Sequence, residues 1–253
     1  MQRFKDKVAL VTSDTGGLGM ATAKLFLVEV AKVVIVDISK EALEKAIFEM
    51  DHENPSYSVA DIAIAEDNKK FVEQTLEVYD KIDIFFANAG IEGTSKPIAE
   101  YSEAIFNKVI AVNLKGVWLG CQHVILKMKN GGSVMITSSV AGLKGFAGLG
   151  AYFARKHAVI DIMRVMALEN ADRRIRVNTI HLRSVNNNMM WRIEKNMSPE
   201  NPEEVLKGFE ATVSFGRYAE SSEIDDMALF LASDDSQYIT GCSHVVNGGM
   251  FMA

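Results

Sequence analysis

Two kinds of apolar run take turns along the chain. The first is short, continuous and rich in β-branched residues, the pattern of a strand buried on both faces. Val8–Thr12, Lys32–Asp37, Tyr57–Ala60, Ile82–Phe86, Ser133–Thr137, Ile175–Ile180 and Ser243–Val246 are of this kind. The second repeats its apolar positions at helical spacing. It covers Met20–Val30, Lys40–Met50, Glu66–Tyr79, Ala151–Asn170 and Ser221–Ala232, and a long stretch, Ser102–Met128, broken near Asn113. Such alternation predicts an α/β fold: a doubly wound parallel sheet of about seven strands with helices on both faces. No linker, repeat or low-complexity tract divides the 253 residues, so 1–253 reads as a single domain.

In such sheets ligands bind beyond the carboxyl ends of the strands. Thr12, Asp37, Asp61, Asn88, Ser139 and the segment at Leu182 each follow a strand and share that edge. The turn Thr12–Gly19 precedes the first helix and holds Gly16, Gly17 and Gly19. Glycines there let backbone approach a pyrophosphate, whose charge the helix N-terminus stabilises. Asp37 ends the second strand. Its carboxylate suits the hydroxyls of an adenosine ribose and repels a 2′-phosphate, and the following Ile38 and Ser39 offer that phosphate no arginine. The pattern predicts NAD in preference to NADP.

Tyr152 and Lys156 stand four residues apart in a helical run, which places them on one face, roughly 6 Å apart at Cβ. A free tyrosine, with a pKa of about 10, is a poor acid or base near neutrality. A neighbouring ammonium favours the phenolate. A tyrosine so tuned gives a proton to a carbonyl oxygen or takes one from an alcohol. Ser139, on a separate segment, suits the same oxygen as a hydrogen-bond partner.

Composition narrows the picture. A net charge of −6 gives no basic footprint for nucleic acid. No apolar run approaches the ~20 residues of a bilayer span, so no membrane partner is expected. The segment Met1–Lys7 enters a strand directly, without a signal-peptide core, which points to the cytoplasm. Cys121 and Cys242 read as buried reduced thiols, and five scattered histidines form no metal site.

Taken together, these residues resemble the short-chain dehydrogenase/reductase family over nearly the whole chain. The turn Thr12–Gly19 is similar to its TGxxxGxG motif, and Asn88-Ala89-Gly90 to its NAG motif. Asn113, Ser139, Tyr152 and Lys156 follow the order and spacing of its catalytic tetrad, and Ile239-Thr240-Gly241 with Val246-Asn247-Gly248-Gly249 its C-terminal segment. The resemblance implies a Rossmann-type domain that binds NAD and moves a hydride between it and a secondary alcohol or ketone. It assigns Tyr152 the proton, Lys156 the tuning of Tyr152 and the nicotinamide ribose, Ser139 the substrate oxygen, and Asn113 a water that relays protons behind Lys156. Cofactor contacts fall on Ser13, Gly17, Leu18, Gly19, Asp37, Asp61 and Ile62 at the adenine, Asn88, Ala89 and Gly90, Val185 through its backbone, and Asn187. Helices bearing Trp118, and Val159, Ile162, Met163 and Val165, would pair subunits into a homotetramer or a dimer.

Departures from the family pattern matter. Ser13 replaces the first glycine and predicts crowding or a strained φ. Val30 replaces a helix-ending glycine in the left-handed position. Leu182-Arg183 replaces a Pro-Gly pair, Asn187 a threonine, Ala219 and Ser221 a glycine and a proline, and Asn247 an aspartate. Cofactor binding weaker than usual is the expectation. The substrate is framed by Val140–Gly150, with Phe146 and Leu149, and by a lid around 186–215 carrying Met189, Met190, Trp191 and Met197. That apolar frame favours a hydrophobic or cyclic ketone or alcohol. Two other functions stay open: a catalytically impaired scaffold subunit, and an isomerase or dehydratase on the same fold.

Overall fold

The computed structural model describes residues 2–13, 17–50, 52 and 55–250, so Asp14, Thr15 and Gly16 of the glycine turn lie outside the described residues. The strands are β1 (Val8–Thr12), β2 (Lys32–Asp37), β3 (Pro55–Val59), β4 (Ile84–Ala87), β5 (Ser133–Thr137), β6 (Arg176–Leu182) and β7 (Ser243–Val246). The helices are α1 (Leu18–Val28), α2 (Lys40–Met50), α3 (Ala65–Tyr79), α4 (Glu103–Ile110), α5 (Gly116–Lys127), α6 (Gly150–Glu169), α7 (Asn188–Met197), α8 (Pro202–Glu210) and α9 (Ser221–Ala232).

The strands form one seven-stranded sheet in the order β3-β2-β1-β4-β5-β6-β7, every pair parallel. The chain starts in the middle, runs out to β3, and returns to β4 on the other side of β1. Strand order reverses there, and the crevice that opens at the carboxyl ends is where such sheets hold ligands. Successive strand residues enter opposite cores. Ala9, Val11, Ile84 and Phe86 pack with α1 and α9, whereas Leu10, Phe85, Val134 and Ile136 pack with residues of α3, α5 and α6. A sheet covered on both faces explains the continuous apolar strands.

Four readings of the sequence need correction. The long helix does not break at Asn113: Ala111–Lys115 is a π turn joining α4 to α5. The joined helix Glu103–Lys127 is therefore long and apolar enough, by length and composition alone, to cross a membrane; Val109, Val117, Cys121 and Val124 on its inner side are buried in the fold. The segment at 186–215 contains two helices, α7 and α8, where no helix was expected. Cys242 is exposed, and only Cys121 is buried; both thiols are free. Ser13 is not strained: it is absent from the positive-φ residues, and its N–H donates to the Val36 carbonyl at 2.9 Å. Val30, by contrast, does take the left-handed conformation, with φ of 70°.

Candidate active site

The loop after β4 is pinned by Thr12, whose Oγ1 accepts from the amides of Asn88 (3.1 Å) and Ala89 (3.3 Å). Thr137 Oγ1 donates to Asn88 Oδ1 at 2.9 Å. Asn113 lies in the π turn, fully buried, and both ends of its side chain hold Ile91: Oδ1 accepts from the amide and Nδ2 donates to the carbonyl, each at 2.7 Å. The side chain of Asn113 thus ties the π turn to the loop after β4.

Helix α6 delivers Tyr152 and Lys156 on one face, as the spacing required. The Lys156 Nζ donates to the Thr137 carbonyl at 2.6 Å and lies 5.7 Å from the centroid of the Tyr152 ring. Burial, and then the charge of Arg155, push the Lys156 ammonium well below its usual range. Ser139 begins a short 3₁₀ turn, where its Oγ accepts from the amide of Ala141 at 3.1 Å. Its carbonyl accepts from His181 Nδ1 at 2.9 Å, which fixes the tautomer: Nδ1 carries the proton and Nε2 accepts from Thr179 Oγ1 at 2.9 Å. Burial holds His181 down to about 4, so it is neutral near pH 7.

Two adjoining spaces meet at Tyr152. One, of about 620 Å³, is a cleft at the amino end of α1 lined by Gly17, Leu18, Asn88, Gly90, Tyr152, Arg155, Lys156, Val185 and Asn187. The other, of about 1040 Å³, is lined by Ser139 and Tyr152 with Phe146, Leu149, Phe153, Met189, Met190, Ile193 and Phe209. The structure thus brings together most of the sequence-selected residues. Asp37, Asp61, Ile62, Ala89, Ser13 and Gly19 do not line the cleft. Gly19 packs behind it, where a Cβ would stand 2.6 Å from Ser13 Oγ. Asp37 accepts from the amide of Ser39 at 2.8 Å, and Asp61 from that of Ala63 at 2.9 Å. Ile62 is buried.

Trp191 does not face the substrate space. It is 55% exposed, with the Lys195 ammonium over its ring, because the inward side of α7 carries Met189, Met190, Ile193 and Met197. Sequence reasoning passed over Arg155, Phe153 and Ile193. Arg155 was legible as the residue three after Tyr152, on the same helical face.

The cleft suits a nicotinamide dinucleotide. Among the described residues no side chain caps the amino end of α1 at Gly17, an end whose amides and dipole suit an anion. Val185 bridges to Ala219 through the amide of Asn186 and the carbonyl of Ser184. In a parallel bridge of that kind the amide and carbonyl of Val185 itself turn to the opposite side. They are the groups a carboxamide would use.

Comparison with known proteins agrees. A family model described as "Enoyl-(Acyl carrier protein) reductase" matches residues 13–251. Levodione reductase of Leifsonia aquatica is 36% identical, over 99% of this chain and 96% of that protein. Cyclohexanol dehydrogenase of Acinetobacter sp. (strain SE19) is 31% identical, over 97% of this chain and 95% of that one. The crystal structure of carveol dehydrogenase from Mycobacterium avium in complex with NAD superposes with a TM-score of 0.93 at 27% identity, over 100% of both chains. With the motifs, the fold and the whole-length matches in agreement, the chain belongs to the short-chain dehydrogenase/reductase family of oxidoreductases acting on CH–OH groups.

Proposed function

We propose that the protein interconverts a hydrophobic or cyclic secondary alcohol and its ketone using NAD(H). The observation that carries this reading is the junction at Tyr152, which borders both the dinucleotide cleft and the apolar space of about 1040 Å³. The nicotinamide ring, when bound, takes or supplies the hydride. In the oxidative direction Tyr152 takes the proton of the alcohol; in reduction it returns one to the carbonyl oxygen. Ser139 Oγ already accepts from Ala141, so its hydroxyl proton is left to donate to the substrate oxygen. Phe146, Leu149, Met190 and Phe209 surround the remainder of the substrate with apolar surface and exclude water.

Asp37 supports NAD over NADP: it ends β2 beside the exposed Ile38, and a 2′-phosphate there would meet a carboxylate. Exposed apolar residues on the outer faces of α5 and α6, Trp118, Leu126, Val165 and Leu168, support pairing of subunits as a homotetramer or dimer; Val159 and Met163 of the same helix are instead buried in the core. Leu182 and Arg183, which replace Pro-Gly at the substrate space, favour the second reading, an impaired scaffold subunit.

Melting with NADH and with NADPH separates the two. NADH at 100 Kd should stabilise the fold by about 2.7 kcal/mol, with no comparable effect of NADPH. Absence of any NADH effect would favour the scaffold.

A further inference from the structure

Arg155 is a buried cation without an obvious counterpart. It is 3% exposed. Its Nε is buried with no hydrogen-bond partner, and no carboxylate pairs with it among the described residues. Its guanidinium carbon lies 4.1 Å from the centroid of the Tyr152 ring, well inside cation–π range. Gly90 keeps that space open: a Cβ there would crowd Asn113 Oδ1 at 2.9 Å and touch Arg155 Nη1 at 3.7 Å.

A guanidinium whose Nε is buried without a partner is costly, because nothing there replaces its hydration. The face of Tyr152 is the group that compensates, and it does so far better once the phenol has lost its proton. Lys156 approaches the same ring from farther away, with its Nζ at 5.7 Å. That Nζ is engaged by the Thr137 carbonyl. Burial favours its neutral form, and Arg155 adds to that effect. Arg155 itself is lowered only to about 10 and so remains charged through the physiological range.

We propose that Arg155 is the permanent cation of this acid/base site, stacked on Tyr152 and stabilising the phenolate that accepts the alcohol proton. This rests on the hydride-transfer reading above and deepens it. In the oxidative direction the alcohol O–H would give its proton to the phenolate oxygen and a bound oxidised nicotinamide would supply the hydride acceptor; Arg155 keeps its own protons throughout. It acts through Tyr152 and is a positioning residue. The other charged groups near Tyr152 are Lys156 on the same helix, Arg183 after β6, and Glu92, which shares the substrate space and is ion-paired to Arg192 of α7 at 2.7 Å. His181 of β6 faces Lys156 and is neutral. All of these stay in place in the variants below.

The test is an ultraviolet titration of tyrosinate in the cofactor-free protein, with the same background carrying Tyr152→Phe subtracted. Arg155→Met should raise the Tyr152 midpoint by about one pH unit or more, a tenfold change in acidity, and Arg155→Gln should do the same. Arg155→Lys, which keeps the charge, should restore most of the shift. The acidic limb of the pH profile for alcohol oxidation should move with it. A midpoint in either folded neutral variant equal to that of the wild type, or an Arg155→Lys midpoint equal to theirs, would overturn the proposal. The titration needs no turnover, so an enzyme that fails to transfer hydride counts against the functional reading and leaves this test decisive.

Discussion

At Ser139 two hydrogen bonds decide what the side chain does. The Ala141 amide occupies the hydroxyl oxygen, and His181 holds the carbonyl, so the residue is fixed and its proton is left over. His181→Phe keeps an aromatic ring but removes the donor to Ser139. Loss of that anchor should lower kcat roughly 10- to 100-fold, while NADH binding, read by melting, stays near wild type. Residue types and spacing pointed to Ser139, Tyr152 and Lys156, because a motif records which groups the chemistry needs, whereas Val185 came only from the family resemblance. Direction was not legible. Trp191 turns outward, Asn113 spends its side chain on Ile91, and Arg155 stacks on Tyr152, and each of these depends on neighbours far away in the chain.

Among the elements, the end of α1 shows a local rule being broken. Val30 has φ of 70°, a conformation that crowds a β-branched side chain. Val30→Gly relieves that strain and should stabilise the protein by about 1 kcal/mol, raising Tm by about 2–4 °C; an unchanged or lower midpoint in chemical unfolding would show that the strain is absent. Glycine's usual place there made this visible from the sequence. Helices α7 and α8 were hidden, since their apolar residues line a ligand space rather than a continuous core and their periodicity is short. The π turn at Ala111–Lys115 showed in the sequence only as a break near Asn113: a single extra residue disturbs the apolar pattern without ending the helix.

The packing of the whole molecule carries a pH dependence. Thr22 Oγ1 donates to Asp225 Oδ1 at 2.5 Å between α1 and α9, and burial pushes the Asp225 carboxyl up to about 7. The folded state therefore favours the protonated acid. Its contribution is fully present below the ordinary carboxylate range and is lost as pH rises through about 7. Asp225→Asn, neutral at every pH, should match wild type near pH 4 and exceed it in Tm by several degrees at pH 8, on the order of 2–4 kcal/mol. A constant difference across that range would contradict the assignment. At this scale the sequence was most informative, because strand–helix alternation fixes a parallel sheet and a parallel sheet fixes the edge at which ligands bind.

The central claim is that Tyr152 performs proton transfer in an NAD-linked reaction on a hydrophobic ring ketone or alcohol. The direct measurement is NADH oxidation, followed by absorbance with cyclic ketones, in the wild type and in Tyr152→Phe. The wild type should turn over, and the variant should lose at least 10²–10⁴-fold in rate while NADH still raises its melting temperature. Turnover by Tyr152→Phe at the wild-type rate would contradict the account.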